Sequence, residues 1–273
     1  MRQKFEFLLA LRLLECEIKE LTIYSRAYCN CYELLNIKLG ELCEFMVREE
    51  TIRQWLVWGH DEEVQRQAER LREAAVEALC DVEKYQSKKI SLIEMDGNKY
   101  LTTLIHSVKE DLKSFGINQQ SKVLFIGSGA FPISVLTIAK EFGAEVMGLE
   151  IDLEAVQLAR QVAKAFDIET SVSFSDEKLS SLAFLKETTH IIIASLVENK
   201  IEVLDQLKEL IKNNVQIMLR YGNGVKSIFN YPFDYDLSED WNQIQLIERN
   251  PIFDTIILEM STSQKEKKVI TYY

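Results

Sequence analysis

The residues best placed to do chemistry lie in KVLFIGSGAFPISVLTIAK, where the apolar run 122–126 meets Gly127-Ser128-Gly129 and then a helical pattern. Two glycines one residue apart permit a tight strand-to-helix turn and let a ligand approach the backbone, while the following helix offers unpaired N–H groups. A nucleotide-like ligand is implied. The third glycine of the dinucleotide fingerprint would fall at 132, where this chain has Pro132, a helix-starting residue with no N–H to leave unsatisfied. A pyrophosphate wants dense N–H donors at such a turn, whereas S-adenosylmethionine carries no phosphate and needs only room beside the glycines. Glu150, in GLEID and 23 residues after Gly127, falls where a carboxylate accepts both ribose hydroxyls. Asp152 either joins it or caps the helix beginning at Leu153. Ser175-Asp176, ending a third strand, meets the adenine amino group or starts a helix. A GxG turn plus an acid also suits dehydrogenases and other nucleotide binders, so an NAD-dependent reductase stays open.

These groups need strands that end and helices that begin along one edge, and from Ser121 the sequence supplies them. Apolar β-branched runs at 122–126, 145–150, 170–174, 190–195 and 215–220 alternate with helical stretches at about 131–142, 153–166 and 199–212, the pattern of βαβ units and a parallel sheet buried on both faces. Two later β-like runs, 243–249 and 253–260, flank Asn250-Pro251 and suit an antiparallel pair. The expected fold is α/β: a Rossmann-like, doubly wound, seven-stranded sheet of the S-adenosylmethionine-dependent methyltransferase type over residues 119–273. Residues 1–118 read as a helical N-terminal domain. The first 115 residues contain no proline and only Gly40, Gly59 and Gly97. Apolar positions recur at helical spacing in FEFLLALRLLECEIKELTIY and YELLNIKLGELCEFMV. A charge-alternating amphipathic helix is expected over 61–89 with Asp61 as its N-cap, then a turn at MDGN (95–98) and a helix from Tyr100 to about Phe115.

Composition narrows the function class. Of 273 residues, 47% are hydrophobic and 27% charged, which excludes a disordered or collagen-like chain. Glu6, Glu15 and Glu17 interrupt the first apolar pattern, unlike a signal peptide, so a cytoplasmic protein without membrane contact is expected. A net charge of −11 opposes nucleic-acid binding. Cys16, Cys29, Cys31, Cys43 and Cys80 form no CxxC pair and read as buried thiols in a reducing compartment. His60, His106 and His190 lack metal-ligand spacing, and no metal site is expected. A homodimer is the base-rate expectation.

Four segments, FIGSGAFPISVLTIAK, GLEIDLEAVQLAR, HIIIASLVENKIEVLDQL and MLRYGNGVKSIFNYP, resemble in order and spacing the nicotianamine synthase family, above all its short bacterial opine-metallophore synthases of the staphylopine and pseudopaline type. The likeness is strong over about 121–235 and most specific in RYGNGVKSIFNYP (220–232). It implies that S-adenosylmethionine, as co-substrate, gives up its 2-aminobutanoyl (3-amino-3-carboxypropyl) arm and leaves as methylthioadenosine, without a metal. It implies histidine of either hand as acceptor, and a product that passes to an opine dehydrogenase. That family uses a glutamate and a tyrosine in its helical half; Glu83, with Glu77 as rival, and Tyr100 match them here, with His106 close by. The transfer also wants a carboxylate clamp, for which Arg220 is the candidate, though an ion pair with a protein acid suits it equally. Tyr231, Gly222 and Gly224 would shape the same pocket, and Ala194-Ser195-Leu196 would contact the donor through backbone groups. Two alternatives remain: an S-adenosylmethionine-dependent N-methyltransferase acting on a small molecule, and a non-catalytic nucleotide-binding protein.

Overall fold

The structure is a computed structural model that describes residues 1–90, 109, 112, 115–245 and 250–261. Four helices come first: α1 (Arg2–Ala27), α2 (Cys31–Val47), α3 (Glu49–Trp58) and α4 (Glu62–Lys89). Asp61 caps α4, its carboxylate accepting from the Glu63 N–H at 3.0 Å. Glu62 and Glu63 in the first turn and Lys88 and Lys89 in the last complement the helix dipole. Asp61→Ala is expected to lower stability by about 1 kcal/mol, the usual cost of a lost cap, and a smaller urea midpoint would record it. α3 was not anticipated, because only Thr51 and Trp55 of its ten residues are buried and the apolar stripe is too short to read. Leu11, Ile18, Leu35, Leu42 and Leu71 centre the helical core, which Ile228 and Phe229 of the other half complete.

The sheet comprises β1 (Lys122–Ile126), β2 (Glu145–Leu149), β3 (Val172–Ser175), β4 (His190–Ile193), β5 (Gln216–Tyr221), β6 (Trp241–Gln245) and β7 (Asp254–Met260), with α5 (Ile133–Phe142), α6 (Leu153–Ala165) and α7 (Lys200–Leu210). The strand order is β3-β2-β1-β4-β5-β7-β6. β7 runs antiparallel to both β5 and β6, so β6 points the same way as β1 to β5. Successive residues face opposite cores: Val123 and Phe125 on one side, Leu124 and Ile126 on the other. A sheet apolar on both faces needs cover on both, and the crossover helices supply it.

Two expectations change. β6 begins at Trp241, a buried residue outside the run read as 243–249, and residues 246–249 fall outside the described part. Cys16, Cys29 and Cys80 are exposed and Cys31 and Cys43 half-buried, because Cys29 sits in the turn between α1 and α2 and the others flank the apolar stripes rather than centring them. The MDGN turn and most of the helix expected from Tyr100 lie outside the described residues. No helix among the described residues is long and apolar enough to cross a membrane.

Candidate active site

β1 ends at Ile126, and the turn Gly127-Ser128-Gly129 leads through Pro132 into α5. Gly127 and Gly129 hold φ of 81° and 69°, a left-handed backbone that side chains disfavour. The space above each is already taken. A Cβ on Gly127 would stand 2.7 Å from Val197 Cγ2, and one on Gly129 would run into the Glu83 carboxylate.

The N–H groups of this elbow are taken by the protein itself. Those of Gly127 and Ser128 donate to the Leu149 carbonyl at 2.9 and 3.2 Å. That of Gly129 donates to Glu150 Oε2 at 3.0 Å, and that of Ala130 to Glu83 Oε2 at 3.2 Å. Two carboxyl groups therefore hold the donors that a pyrophosphate would need, which leaves the turn unsuited to a phosphate. Glu150 Oε1 also accepts from Ile151 N–H at 2.9 Å and Asp152 N–H at 3.2 Å. With about four acceptor directions on a carboxylate, three bonds leave capacity for a ribose hydroxyl. Ser128 Oγ is buried without a hydrogen-bond partner among the described residues, a second polar group suited to a ligand.

Glu83 reaches the elbow because α4 is fastened there. The Ser87 hydroxyl, one turn on, lies 2.7 Å from the Ala130 carbonyl. Lys84 pairs with Asp152 at 2.5 Å and Glu154 at 3.0 Å, and Lys88 with Glu154 at 2.8 Å. Burial, with a smaller contribution from the Glu150 charge, pushes the Glu83 carboxyl up to about 8 against the opposing N–H groups of Ala130 and Phe131. Glu77 turns away, pairing with Arg26 at 2.7 Å on a surface where its side chain is 57% exposed.

The other expected residues spread along the sheet's carboxyl edge. Asp152 serves as the cap of α6, accepting from Glu154 N–H at 2.9 Å while bound to Lys84, so Glu150 is the acid facing the elbow. Ser175 Oγ accepts from Glu177 N–H at 3.1 Å, and Asp176 is exposed without starting a helix. Ala194, Ser195 and Leu196 are half-buried after β4, the Ser195 carbonyl accepting from Tyr231 N–H at 3.2 Å. Arg220 is buried in β5 with its guanidinium 5.0 Å from the Phe253 ring centre. Tyr231 is buried, its hydroxyl donating to Glu73 at 3.2 Å, and burial with the Glu73 charge pushes it up to about 12. Gly222 serves its own loop, since a Cβ there would meet Asn230 and the Lys226 carbonyl at 2.7 Å. Tyr100 and His106 lie outside the described residues. Sequence reading did not single out Lys84, Ser87, Arg72 or Lys200; the one-turn spacing of Lys84 and Lys88 was the available signal for the first.

A seven-stranded sheet in this order with one reversed strand, a glycine elbow after β1 and an acid after β2 define the S-adenosylmethionine-dependent transferase class of Rossmann-like folds. Within it, the chain belongs to the nicotianamine synthase family, whose model, Nicotianamine synthase protein, matches residues 62–267. An L-histidine 2-aminobutanoyltransferase of Pseudomonas aeruginosa is 39% identical over 259 residues, covering 95% of this chain and 98% of that one. A protein of the same name from Yersinia pestis is 33% identical over 262 residues, covering 94% and 96%. The crystal structure of MtNAS in complex with MTA and tNA shares the fold with a TM-score of 0.70 at 16% identity, covering 89% of this chain and 96% of that one. The resemblance read from the four segments is borne out at the level of the family.

Proposed function

We propose that this chain transfers the 2-aminobutanoyl group of S-adenosylmethionine to the amine of histidine and releases methylthioadenosine. The reading is supported by relatives of that name aligned over nearly the whole chain. The observation that carries it is the pair of carboxylates, Glu150 and Glu83, on consecutive N–H groups of the elbow. When bound there, S-adenosylmethionine supplies a sulfonium with three electrophilic carbons, and the one attacked is the one held in line with the incoming nitrogen.

Each residue then has a task. Glu150 takes the ribose hydroxyls; Ser128 and the backbone of 194–196 line the donor; Ser175 and Asp176 flank the adenine; Gly127, Gly129 and Pro132 shape the turn. Glu83 accepts the proton from the acceptor's ammonium, freeing the lone pair that attacks. A carboxyl pushed up to about 8 stands close to the range of an α-amine, so the proton moves with little driving force wasted. Asp152 acts through Lys84 by holding α4 against the elbow. Arg220 and Tyr231 shape the amino-acid end of the cleft, and Tyr100 is assigned to the acceptor by family resemblance alone. The product, a histidine bearing a new primary amine and carboxylate, is the class of compound an opine dehydrogenase condenses with an α-keto acid.

Mass spectrometry of a reaction containing S-adenosylmethionine and L- or D-histidine tests this. Methylthioadenosine and an aminobutanoyl-histidine are expected; S-adenosylhomocysteine would replace the reading with methyl transfer, and binding without turnover would leave a non-catalytic nucleotide binder.

A further inference from the structure

Beside the elbow lies a buried cluster of two cations that the reaction as described does not use. Lys200 opens α7 and is 1% exposed, yet its ammonium donates to backbone carbonyls, Ser195 O at 2.9 Å and Val197 O, rather than to an acid. Arg72 of α4 is 9% exposed; its Nη1 donates to the Ser227 carbonyl at 2.9 Å, and its Nε is buried with no hydrogen-bond partner among the described residues. The guanidinium carbon of Arg72 and Nζ of Lys200 stand 5.0 and 5.6 Å from the centre of the same Tyr231 ring.

The positive charge here is buried, while the acids that face it, Glu73 and Glu198, both felt at the Tyr231 hydroxyl, are exposed. The acid next to Arg72 is Glu73, whose Oε1 is 3.6 Å from Nε, and that side chain is 58% exposed. The N-terminus of α7 adds its own partial positive charge, and its cap residue Asn199 makes no side-chain capping bond. Burial together with the Arg72 charge pulls Lys200 down to about 7. Cations removed from water are unfavourable until an anion meets them.

The cluster borders the cleft. The carbonyls that hold Lys200 belong to the segment whose Ala194 and Val197 lie over Gly127. Arg72 and Glu83 are eleven residues apart on α4, about three turns, and so share a face. A planar guanidinium and an ammonium gathered at one aromatic ring suit a carboxylate, which takes hydrogen bonds from both. We infer that Lys200 and Arg72 form a seat for the α-carboxylate of one of the two amino-acid substrates, beside the Tyr231 ring. The inference rests on the transfer reading only in taking the ligand to be an amino acid.

Four substrate pairs test it: S-adenosylmethionine or its decarboxylated form, each with histidine or histamine. Lys200→Met is expected to lower kcat/KM by about 10- to 100-fold, mainly through KM, where the seated carboxylate is present, and to have little effect where it is absent. Arg72→Met is expected to show the same dependence on the same substrate. A loss tied to histidine over histamine assigns the seat to the acceptor; one tied to S-adenosylmethionine over its decarboxylated form assigns it to the donor. Equal losses with all four pairs, or none, overturn the seat and leave Lys200 as a fastener of the 195–197 segment. Should either variant fail to fold, the wild type decides, because calorimetric affinities indifferent to both carboxylates also overturn it. A wild type that binds both amino acids through their carboxylates but releases no methylthioadenosine would sink the transfer reading and keep the seat.

Discussion

Glu83→Gln is expected to lower kcat by about 10²- to 10⁴-fold, the range a positioned general base supplies, with S-adenosylmethionine affinity changed only a few-fold. The amide keeps the shape and can still accept from the Ala130 N–H, which the carboxylate meets at 3.2 Å, but it cannot take a proton from the acceptor's ammonium. In the wild type, kcat/KM should climb with pH and level off above about 8, because burial holds the carboxyl protonated below that point and only its ionised form is a base. Rates of methylthioadenosine release between pH 6 and 9, beside calorimetric donor affinity, check both statements. Retained turnover in the variant, or a flat profile, would move the base elsewhere.

The same group makes a stability prediction of definite sign. Its carboxyl is raised from 4.5 to about 8 in the folded chain, so the folded state holds this proton through a window in which the unfolded chain has released it. Folding stability from Glu83 therefore falls as pH rises from about 4.5 to about 8, by a few kcal/mol in order of magnitude. Glu83→Gln removes that slope. Its melting temperature should match the wild type near pH 4.5 and exceed it near pH 8, the reverse of what its activity does. Such opposite movement of stability and rate is what a buried base under strain produces.

How much of this the sequence carried depends on what each residue must satisfy. β1 was legible to the residue because a β-branched run ends on glycine, two local rules in agreement. β7 was legible within one residue, yet its reversal relative to β5 is a matter of long-range pairing, and only the late, closely spaced run hinted at it. Asp61 and Asp152 cap helices as their spacing allowed, since capping is local. The site itself was half legible. Gly127, Gly129 and Glu150 follow from strand ends, whereas Glu83 was reached through resemblance: on a helix alternating acids and bases, a buried carboxylate looks like its solvated neighbours. Arg72 and Lys200 were hidden for the same reason. Which charged residue is desolvated depends on what packs over it, here the segments after β4 and β5, and no periodicity within α4 or α7 records that.

Gly129→Val is expected to weaken S-adenosylmethionine binding by about 100-fold or more. Two costs add: a left-handed φ of 69° that a branched side chain resists, and a Cβ driven into the Glu83 carboxylate. The free chain relieves both by moving the elbow, and a donor that needs the native turn must restore them at about 3 kcal/mol, which is the stated factor in affinity. Gly143 provides the control, because it too is left-handed, at 67°, where it ends α5 away from the elbow and a Cβ would press on Gln119. Gly143→Val should lose stability by a comparable amount and leave donor affinity intact, so calorimetry on the pair separates backbone strain from damage to the site. Gly129→Ala refines the test: without the branched methyls, most of its harm comes from displacing Glu83 off the Ala130 N–H, and turnover should fall further than donor affinity. Were Gly129→Ala to keep both, Glu83 would be free to leave the elbow at no cost, and the seating of its carboxyl beside Glu150 could not be what closes the turn to a phosphate.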